Sequence, residues 1–572
     1  MVLFGALREH PLAVTVGGLV QTKVWARRPS LLFGATTSML ICSLLLGGGT
    51  HGGFLSDAIL ELLAIPLFLI LLSSLLSASS GERDRSVPFA LTLCLMIAIL
   101  PLVQLVPLPP AIWQTLPQRD EIRRLFELTG TPPPWLPLSV APNATWLSAL
   151  SLLPPMTVFI GVLQLSYRER RELSIVVVIV GIASAIIGLL QVAHGPSSSL
   201  RFFEFTNQNE GVGFFANRNH FAALLYVVVL YDAAWATELA ITAGSWRNLR
   251  SLQSSTLALL TGSLSAIMIL IAAETITRSR AGLGLMIVAM FGVFALPLMD
   301  RRSAKDSTAL KLILAATIVV LLLAVQFTLY RFLERFAADS LQDARSIFAH
   351  NTFMAALAYL PFGSGFGSFV SVYPMFEPPK DVLANTFANH AHNDFLEVCL
   401  EGGAMAVVLI ILFIAWLVLR ARQIWRRPPS DVRAIDVLLQ RAASIAVCLV
   451  MAHSFVDYPL RTDAMMAVFA FCCAFLVEPL GRGGIREPVA ANAVPERHRS
   501  APGRQSGAVA SAVDYPRKAL EGANEASPTA GSSSAGTWGD GIEWPQEWRN
   551  SAPASSKDLR PPIGGRAPKR VP

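Results

Sequence analysis

Long apolar stretches alternate with short polar loops over the first 480 residues of the chain. A bilayer core roughly 30 Å thick needs about 20 apolar residues per helix, and most of these stretches are that long. Lipid offers no hydrogen-bond partner to an open backbone, and the period-2 alternation of a membrane barrel does not appear, so helices are expected. The pattern predicts an all-α integral membrane protein with about 12 transmembrane helices, near residues 31–48, 58–77, 88–107, 147–166, 174–192, 219–240, 255–274, 281–299, 309–328, 395–419, 441–457 and 463–480.

Basic residues are concentrated in alternate loops between these predicted helices. Short loops rich in Lys and Arg stay in the cytoplasm, so the chain is expected to be a multi-pass protein of the bacterial inner membrane with both termini cytoplasmic. The remaining loops then face the periplasm, including 108–146, 193–218 and a large loop at 329–394 between the ninth and tenth helices. The basic clusters are Arg27 and Arg28; Arg83 and Arg85; Arg168, Arg170 and Arg171; Arg247 and Arg250; Arg301, Arg302 and Lys305; and Arg420 to Arg427.

Composition divides the chain into three segments. Residues 1–30 form a cytoplasmic N-terminal segment, and residues 31–480 form the polytopic membrane domain. Residues 481–572 are rich in Gly, Ala, Ser, Pro and Arg, which predicts a disordered cytoplasmic tail. With 53% hydrophobic and 15% charged residues, an ordinary soluble protein is excluded. The net charge of +7 reflects the basic cytoplasmic loops, so no nucleic-acid partner is expected.

Polar and charged runs accumulate on the predicted periplasmic side. Charged groups close to the apolar core of a membrane protein are costly, so such runs suggest a functional site. Basic, imidazole and amide groups therefore converge on one face of the membrane. The runs are Gly213 to Phe221, Thr277 to Gly282, the loop residue Arg345, Pro361 to Gly367, and Asn389 to Glu397.

Taken in order, these runs resemble the O-antigen ligase and O-antigen polymerase superfamily of lipid-linked glycan ligases and polymerases. The resemblance covers roughly residues 205–420, and it consists of an Asn-x-Asn-His-Phe-like helix start, a Ser-Arg-x-Gly turn, an Arg-bearing loop ending in Gly-x-Gly, and His-x-His-Asn. The later run His453 to Leu460 is similar to the end of that family's penultimate helix. The resemblance implies an integral-membrane enzyme that moves glycans off a polyprenyl-pyrophosphate carrier.

The resemblance also implies roles for individual residues. Arginines at the positions of Arg280 and Arg345 bind the lipid pyrophosphate, and a planar, permanently charged guanidinium group suits phosphate oxygens. A positive helix anchor at Arg280 and a solvated loop arginine at Arg345 are the alternatives. Further substrate-binding candidates are Arg218, Asn219 and Asn393, although Asn219 also suits a helix cap.

A histidine of the His-x-His-Asn motif is the general base in the family, and imidazole titrates close enough to neutral pH for that task. His392 is favoured as the catalytic base, and His390 is the second candidate. Glu397 and Glu401, one helical turn apart, could orient a histidine or contact sugar, and a solvated helix start is the alternative for both. The alternative is that both histidines only cap a helix or lie at the wet interface.

The expected reaction transfers a glycan from undecaprenyl pyrophosphate to an acceptor hydroxyl on the periplasmic side. No cofactor and no metal are expected, because no Asp-x-Asp run or carboxylate pair is placed for a divalent ion. Direct displacement then inverts the anomeric centre, whereas a covalent intermediate would need two facing carboxyl groups. The partners are the lipid-linked oligosaccharide donor, membrane lipids, and an acceptor that is lipid A-core, a growing O-antigen or exopolysaccharide, or protein.

Two other classes remain open. A transporter or flippase of lipid-linked sugars would place its polar site near the bilayer midplane, where Asp232 is the main charge. A scaffold organised by the cytoplasmic tail would make the histidines and arginines of the outer face dispensable.

Overall fold

The computed structural model describes residues 30–50, 55–77, 86–203, 206–243, 254–298, 340–382, 388–426 and 432–480. Within these ranges the regular secondary structure is helical apart from one short antiparallel ribbon, in which β1 (Pro107–Leu108) pairs with β2 (Leu136–Pro137). Short 3₁₀ turns cover Tyr373–Met375 and Pro459–Arg461. The helices are α1 (Leu31–Leu46), α2 (Leu55–Ser77), α3 (Ser86–Gln104), α4 (Pro110–Trp113), α5 (Asp120–Thr129), α6 (Pro142–Leu150), α7 (Leu153–Gln164), α8 (Tyr167–His194), α9 (Arg218–Ala243), α10 (Ser254–Thr277), α11 (Arg280–Leu298), α12 (Ser340–Tyr359), α13 (Phe369–Val372), α14 (Asp394–Arg426), α15 (Ala434–His453) and α16 (Asp463–Phe475).

The described helices confirm the all-α membrane class. Nine of them, with α6 and α7 counted as one, are long and apolar enough to cross a membrane, and all nine coincide with predicted spans. Two further predicted spans correspond to α1 and α16, which are apolar but shorter than 18 residues. The predicted span at 309–328 lies outside the described residues, so a total of 12 stays a prediction.

Helix α9 forms the centre of the bundle. Its apolar side chains cover all of its faces, and it packs against α8, α10, α11 and α15. In the most hydrophobic part of α9, 78% of the residues are buried, and the share is the same in α15. In the corresponding parts of α2 and α3, 22% of the residues are buried. A helix that is apolar on all faces is stable either in a protein core or against lipid. The buried shares place α9 and α15 in the core of the bundle and α2 and α3 at its surface.

Buried arginines close one end of the bundle. Arg170 donates hydrogen bonds to the carbonyl oxygens of Val162 (3.0 Å) and Val477 (2.7 Å), which belong to the C-terminal ends of two other helices. Arg420 likewise donates a hydrogen bond to the carbonyl oxygen of Leu476 at the end of α16. Arg441 donates one to the carbonyl oxygen of Leu296 in the last turn of α11. The last carbonyls of a helix have no partner within the helix, so these bonds satisfy groups that would be costly to bury alone.

The predicted large loop at 329–394 contains an ordered helix, α12, followed by the glycine-rich turn. Gly363, Gly365 and Gly367 all have positive φ angles, of 79°, 105° and 76°. The turn lies against a break in α14 at Gly403, where a Cβ atom would come within 2.4 Å of the carbonyl oxygen of Pro361. The Gly-x-Gly-x-Gly run therefore forms a tight turn, which brings the chain after α12 back against α14.

Candidate functional site

The polar runs meet at one end of the bundle, where α9, α11 and α14 begin and α8, α10 and α15 end; we call it the site end. Backbone hydrogen bonds join these termini directly. The N–H of Gly211 donates to the carbonyl of Ile276 (3.1 Å), and the N–H of Asp394 donates to that of Ser454 (2.9 Å). Residues far apart in sequence thus share one polar surface.

Asp457 is the centre of this surface, and its side chain is fully buried. One oxygen lies 3.1 Å from Nδ1 of His392, and the other accepts a hydrogen bond from the amide of Asn219. Nη2 of Arg345 lies 3.7 Å from the second oxygen, and the N–H of Tyr458 donates to the first at 3.0 Å. A single carboxylate therefore joins α9, α12, the His-x-His-Asn loop and the end of α15.

The surroundings keep Asp457 ionised. Burial alone would raise its pKa, but the hydrogen bond with His392, together with the charge of Arg345, holds the pKa of Asp457 well below its ordinary value. His392 itself has a positive φ angle of 50°, which is uncommon for a residue with a side chain, and its ring stacks on Phe348 of α12. Such a constrained imidazole is held in one orientation.

His390 contacts a different carboxylate. Its Nδ1 lies 2.8 Å from Oε1 of Glu397, whose other oxygen accepts a hydrogen bond from the N–H of Ala391 at 2.8 Å. Both histidine side chains remain partly exposed, 19% for His390 and 21% for His392. Each imidazole thus has one nitrogen bound to a buried carboxylate while part of its ring reaches the surface.

Arg461 lies behind His390 among three acidic residues of α14. Its Nη1 donates to Glu401 at 2.8 Å, and its Nε lies 3.6 Å from Glu397 and 3.7 Å from Asp394. Although burial lowers the pKa of a guanidinium, these carboxylates raise the pKa of Arg461 above its ordinary value, so the side chain stays charged. The ion cluster fixes the beginning of α14 to the loop after α15.

Tyr458 packs among the imidazoles. Its ring centroid lies 4.3 Å from that of His390 and 4.9 Å from those of His392 and His220. Burial and the nearby Asp457 raise the pKa of Tyr458, so the phenol stays protonated at neutral pH. Tyr458 therefore packs between the histidine rings and keeps them apart, and it does not suit the role of a base.

The structure places the other predicted substrate-binding residues less centrally. Asn393 caps α14, because its Oδ1 accepts the N–H of Leu396 (3.1 Å) while its Nδ2 donates to a carbonyl (3.0 Å). Arg218 pairs with Glu210 at 3.1 Å, and Arg278 approaches the same carboxylate at 3.8 Å.

Arg280 is half-buried at the first position of α11, in the Ser-Arg-x-Gly turn. The glycine of that turn, Gly282, allows close helix packing. A Cβ atom there would lie 2.4 Å from the Cβ of Ala222 and 2.6 Å from a carboxylate oxygen of Glu274. Glu274 is itself fully buried in α10, a deep charge that the sequence pattern did not single out.

Asp457, Tyr458 and Arg461 are the polar residues of the site that sequence reasoning missed. Asp457 and Tyr458 lie in the run that resembles the family's penultimate helix ending, but nothing local marks either as a partner of the histidines. Arg461 follows one residue after that run. The signal that could have found them is a charged pair, Asp and Arg, beside an apolar helix end on the same side as the histidines.

The fold and the site end define a polytopic helical membrane protein with arginine, imidazole and carboxylate side chains clustered at one end of its bundle. Residues 264–411 match the family model described as O-antigen ligase, and this match confirms the predicted resemblance to the superfamily. The match includes Arg280, Arg345, His390 and His392, whereas Asp457 lies beyond it. No curated protein sequence matches the chain.

Proposed function

We propose that the protein is a metal-independent, inverting glycosyltransferase that moves a glycan from undecaprenyl pyrophosphate to an acceptor hydroxyl on the periplasmic side of the inner membrane. The observation that carries the proposal is the His392–Asp457 pair, with Arg345 on the same carboxylate. The match of residues 264–411 to the O-antigen ligase family model supports the coarser statement that the reaction transfers a glycan. Its acceptor is open among lipid A-core, a growing polysaccharide and protein.

The His392–Asp457 pair suits a general base. With Nδ1 bound to Asp457, the proton of a neutral imidazole resides on Nδ1, and Nε2 carries the lone pair that can accept a proton. Asp457 also stabilises the imidazolium that forms, as a buried carboxylate does in a hydrolase triad. Nε2 of His392 takes the proton of the acceptor hydroxyl as its oxygen attacks the anomeric carbon.

The remainder of the reaction is a displacement at that carbon. The bond between the acceptor oxygen and the anomeric carbon forms, the bond from the carbon to the phosphate oxygen breaks, and its electron pair leaves with polyprenyl pyrophosphate. Asp457 is buried and already bonded to His392 and Asn219, so it is a poor nucleophile for a covalent intermediate. A single displacement with inversion follows.

Arginine side chains can supply the positive charge that the pyrophosphate needs. Arg345 is 39% exposed and lies beside the centre, so its guanidinium has free surface to receive a phosphate group. Arg280, half-buried at the start of α11, is the second proposed contact. Guanidinium groups at these two positions make metal-independent charge neutralisation chemically reasonable.

A flippase for lipid-linked sugars is the alternative in another class. The deep polar pair is Asp232 with Ser263, whose hydroxyl donates to the carboxylate at 2.9 Å, so this charge is engaged between α9 and α10. The polar cluster described above lies instead at the site end, which favours chemistry at a surface. In detergent-permeabilised vesicles the donor and the acceptor meet without a flipping step. Glycan transfer by the protein in such vesicles therefore identifies a transferase rather than a flippase.

The first prediction separates binding from chemistry. In a reconstituted assay with lipid-linked oligosaccharide, His392→Ala should keep donor binding while transfer falls by roughly 10² to 10⁴, the usual range for a lost general base. Arg345→Lys and Arg280→Lys should weaken both binding and transfer, because lysine keeps the charge but loses the planar fork.

Two surface variants serve as matched controls for this experiment. His350 is exposed on α12, and Arg123 pairs with acidic neighbours on the surface of α5, so His350→Ala and Arg123→Lys should behave like the wild type. Normal transfer by His392→Ala would remove His392 as the base. A wild-type protein that binds the donor and never transfers glycan would overturn the proposed function itself.

A further inference from the structure

The two histidines of the motif differ in the charges that surround them. His392 shares Asp457 with Arg345, so the negative charge of that carboxylate already has a permanent cation nearby. His390 instead faces a cluster with an excess of negative charge. The groups around His390 are Asp394, Glu397 and Glu401 from α14, Arg461, Tyr458 and His392 from the adjoining loops, and His220 from α9.

The charges of this cluster favour a positive imidazole. Three acidic side chains share one guanidinium, and burial raises the pKa of Asp394 to about 7 and that of Glu401 above its ordinary value, so negative charge in excess of Arg461 is costly in this cluster. A proton on His390 offsets this excess at a hydrogen-bond distance of 2.8 Å from Glu397. Burial lowers the pKa of His390, but the charge and hydrogen bond of Glu397 outweigh it, so the pKa is raised overall.

We propose that His390 is a second catalytic residue of the transfer, acting as a fixed imidazolium whose Nε2–H donates a hydrogen bond to a phosphate oxygen of the departing polyprenyl pyrophosphate. This inference rests on the proposed function. It divides the motif into a neutral base, His392, and a charged electrophilic contact, His390. The two rings lie on the same tyrosine, at centroid distances of 4.9 Å and 4.3 Å, so both can face one substrate.

The division of roles fits the chemistry of the displacement. The electron pair of the broken carbon–oxygen bond stays on the pyrophosphate, where negative charge increases in the transition state. A pre-positioned cationic donor stabilises that charge without reorganising, and no proton needs to leave His390. Glu397 acts through His390 as a positioning residue, because it holds both the ring and the N–H of Ala391.

The experiment measures the binding of undecaprenyl pyrophosphate to the detergent-solubilised full-length protein between pH 6 and pH 9. Wild-type affinity should fall as the pH rises through the raised pKa of His390, because the neutral ring has lost its charge. His390→Gln should weaken binding at pH 6 by roughly 10- to 100-fold, the usual effect of losing a charged hydrogen bond, and should abolish the pH step. Undecaprenol, which has no phosphate, should bind both proteins equally.

Variants of Glu397 test the cause of the charge. Glu397→Gln removes the carboxylate that raises the pKa of His390, so the fall in affinity should move to lower pH by roughly one unit or more. Glu397→Asp retains the charge and should remain closer to the wild type. The exposed-surface variant His350→Gln should keep the wild-type pH step.

The outcomes separate this inference from the proposed function. Wild-type affinity and an unchanged pH step in folded His390→Gln would overturn the role of His390, even if glycan transfer by the wild type is observed. A His390-dependent pH step in a protein that transfers no glycan would overturn the proposed function and leave the phosphate contact standing. If His390→Gln binds donor normally but loses transfer, His390 is a base and the proposed division fails.

Discussion

At the scale of single residues, the unusual feature is that one buried carboxylate serves several partners. The carboxylate of Asp457 contacts the imidazole of His392, the side-chain amide of Asn219 and the backbone N–H of Tyr458. The guanidinium of Arg345 lies close to the same carboxylate. An ionised carboxylate can accept about four hydrogen bonds, so this set uses nearly its full capacity. Removing the charge while keeping the shape therefore affects every partner at once.

Asp457→Asn is predicted to lower transfer by roughly 10² to 10⁴, because the amide no longer fixes the tautomer of His392 or stabilises its protonated form. Donor affinity should fall less, since Arg345 remains. The measurement is the rate of product formation compared with donor binding in the same preparation. Asp120→Asn, a change in a surface pair of α5, is the matched control. Transfer within a few fold of wild type would contradict the orienting role.

The pH dependence of Asp457 follows from the sign of its shift. A depressed pKa in the folded protein means that its contribution to stability is present above the ordinary carboxyl pKa and is lost only as the pH falls through the lower folded value. The contribution therefore persists throughout the mildly acidic range. A loss of transfer between neutral pH and pH 5 is therefore not expected from protonation of Asp457.

At the scale of elements, the glycine turn and the break in α14 form one contact. Gly403 has φ 60° and ψ −150°, and the N–H of Ala404 donates to the carbonyl of Pro361 at 2.8 Å. The chain after α12 is thus held against the middle of α14. This contact also positions the acidic first turns of α14, which bind Arg461 and His390.

Gly403→Ala is predicted to destabilise the protein by about 1–3 kcal/mol or more, since alanine is strained at this backbone conformation and its Cβ would meet the turn. Thermal unfolding of the detergent-solubilised protein measures the change. Gly284→Ala is the control, because a Cβ there meets nothing within 4 Å and Gly284 lies inside α11, where alanine favours the helix. Equal melting temperatures for the two variants would contradict the argument.

At the scale of the whole molecule, charge asymmetry between the two ends of the bundle sets the proposed orientation. The end opposite the site end contains Arg168, Arg170 and Arg171 at the start of α8, in agreement with the alternation of basic loops. In this proposed orientation the site end, including the turn after α12, faces the periplasm, and the segment 481–572 lies in the cytoplasm.

Cysteine labelling tests this topology. In a background without the six native cysteines, Lys380→Cys should react with a membrane-impermeant maleimide in intact spheroplasts, because Lys380 is exposed at the site end. Ser506→Cys in the C-terminal segment should react only after the inner membrane is permeabilised. The reverse pattern would place the site end in the cytoplasm and remove access to a periplasmic donor.

The sequence alone determined the class of the protein, most of its spans and the gathering of its chemistry-bearing residues at one end of the bundle. Those properties depend on runs of about 20 apolar residues and on the placement of arginines, which act locally and independently of the neighbouring helices. The short motifs around Arg280, Arg345, His390 and His392 were readable for the same reason, because each is continuous in the chain.

Only the tertiary structure decided which carboxylate lies within hydrogen-bond distance of which histidine. His392 meets Asp457 across 65 positions, and Arg461 reaches Glu401 across 60. The turn of α14 that holds Glu397 against His390 was expected in outline, since these residues are seven positions apart. Pairing and burial between separate helices depend on how the bundle packs. Apolar helices carry too little periodic information to specify that packing, so the charges of the site became interpretable only in three dimensions.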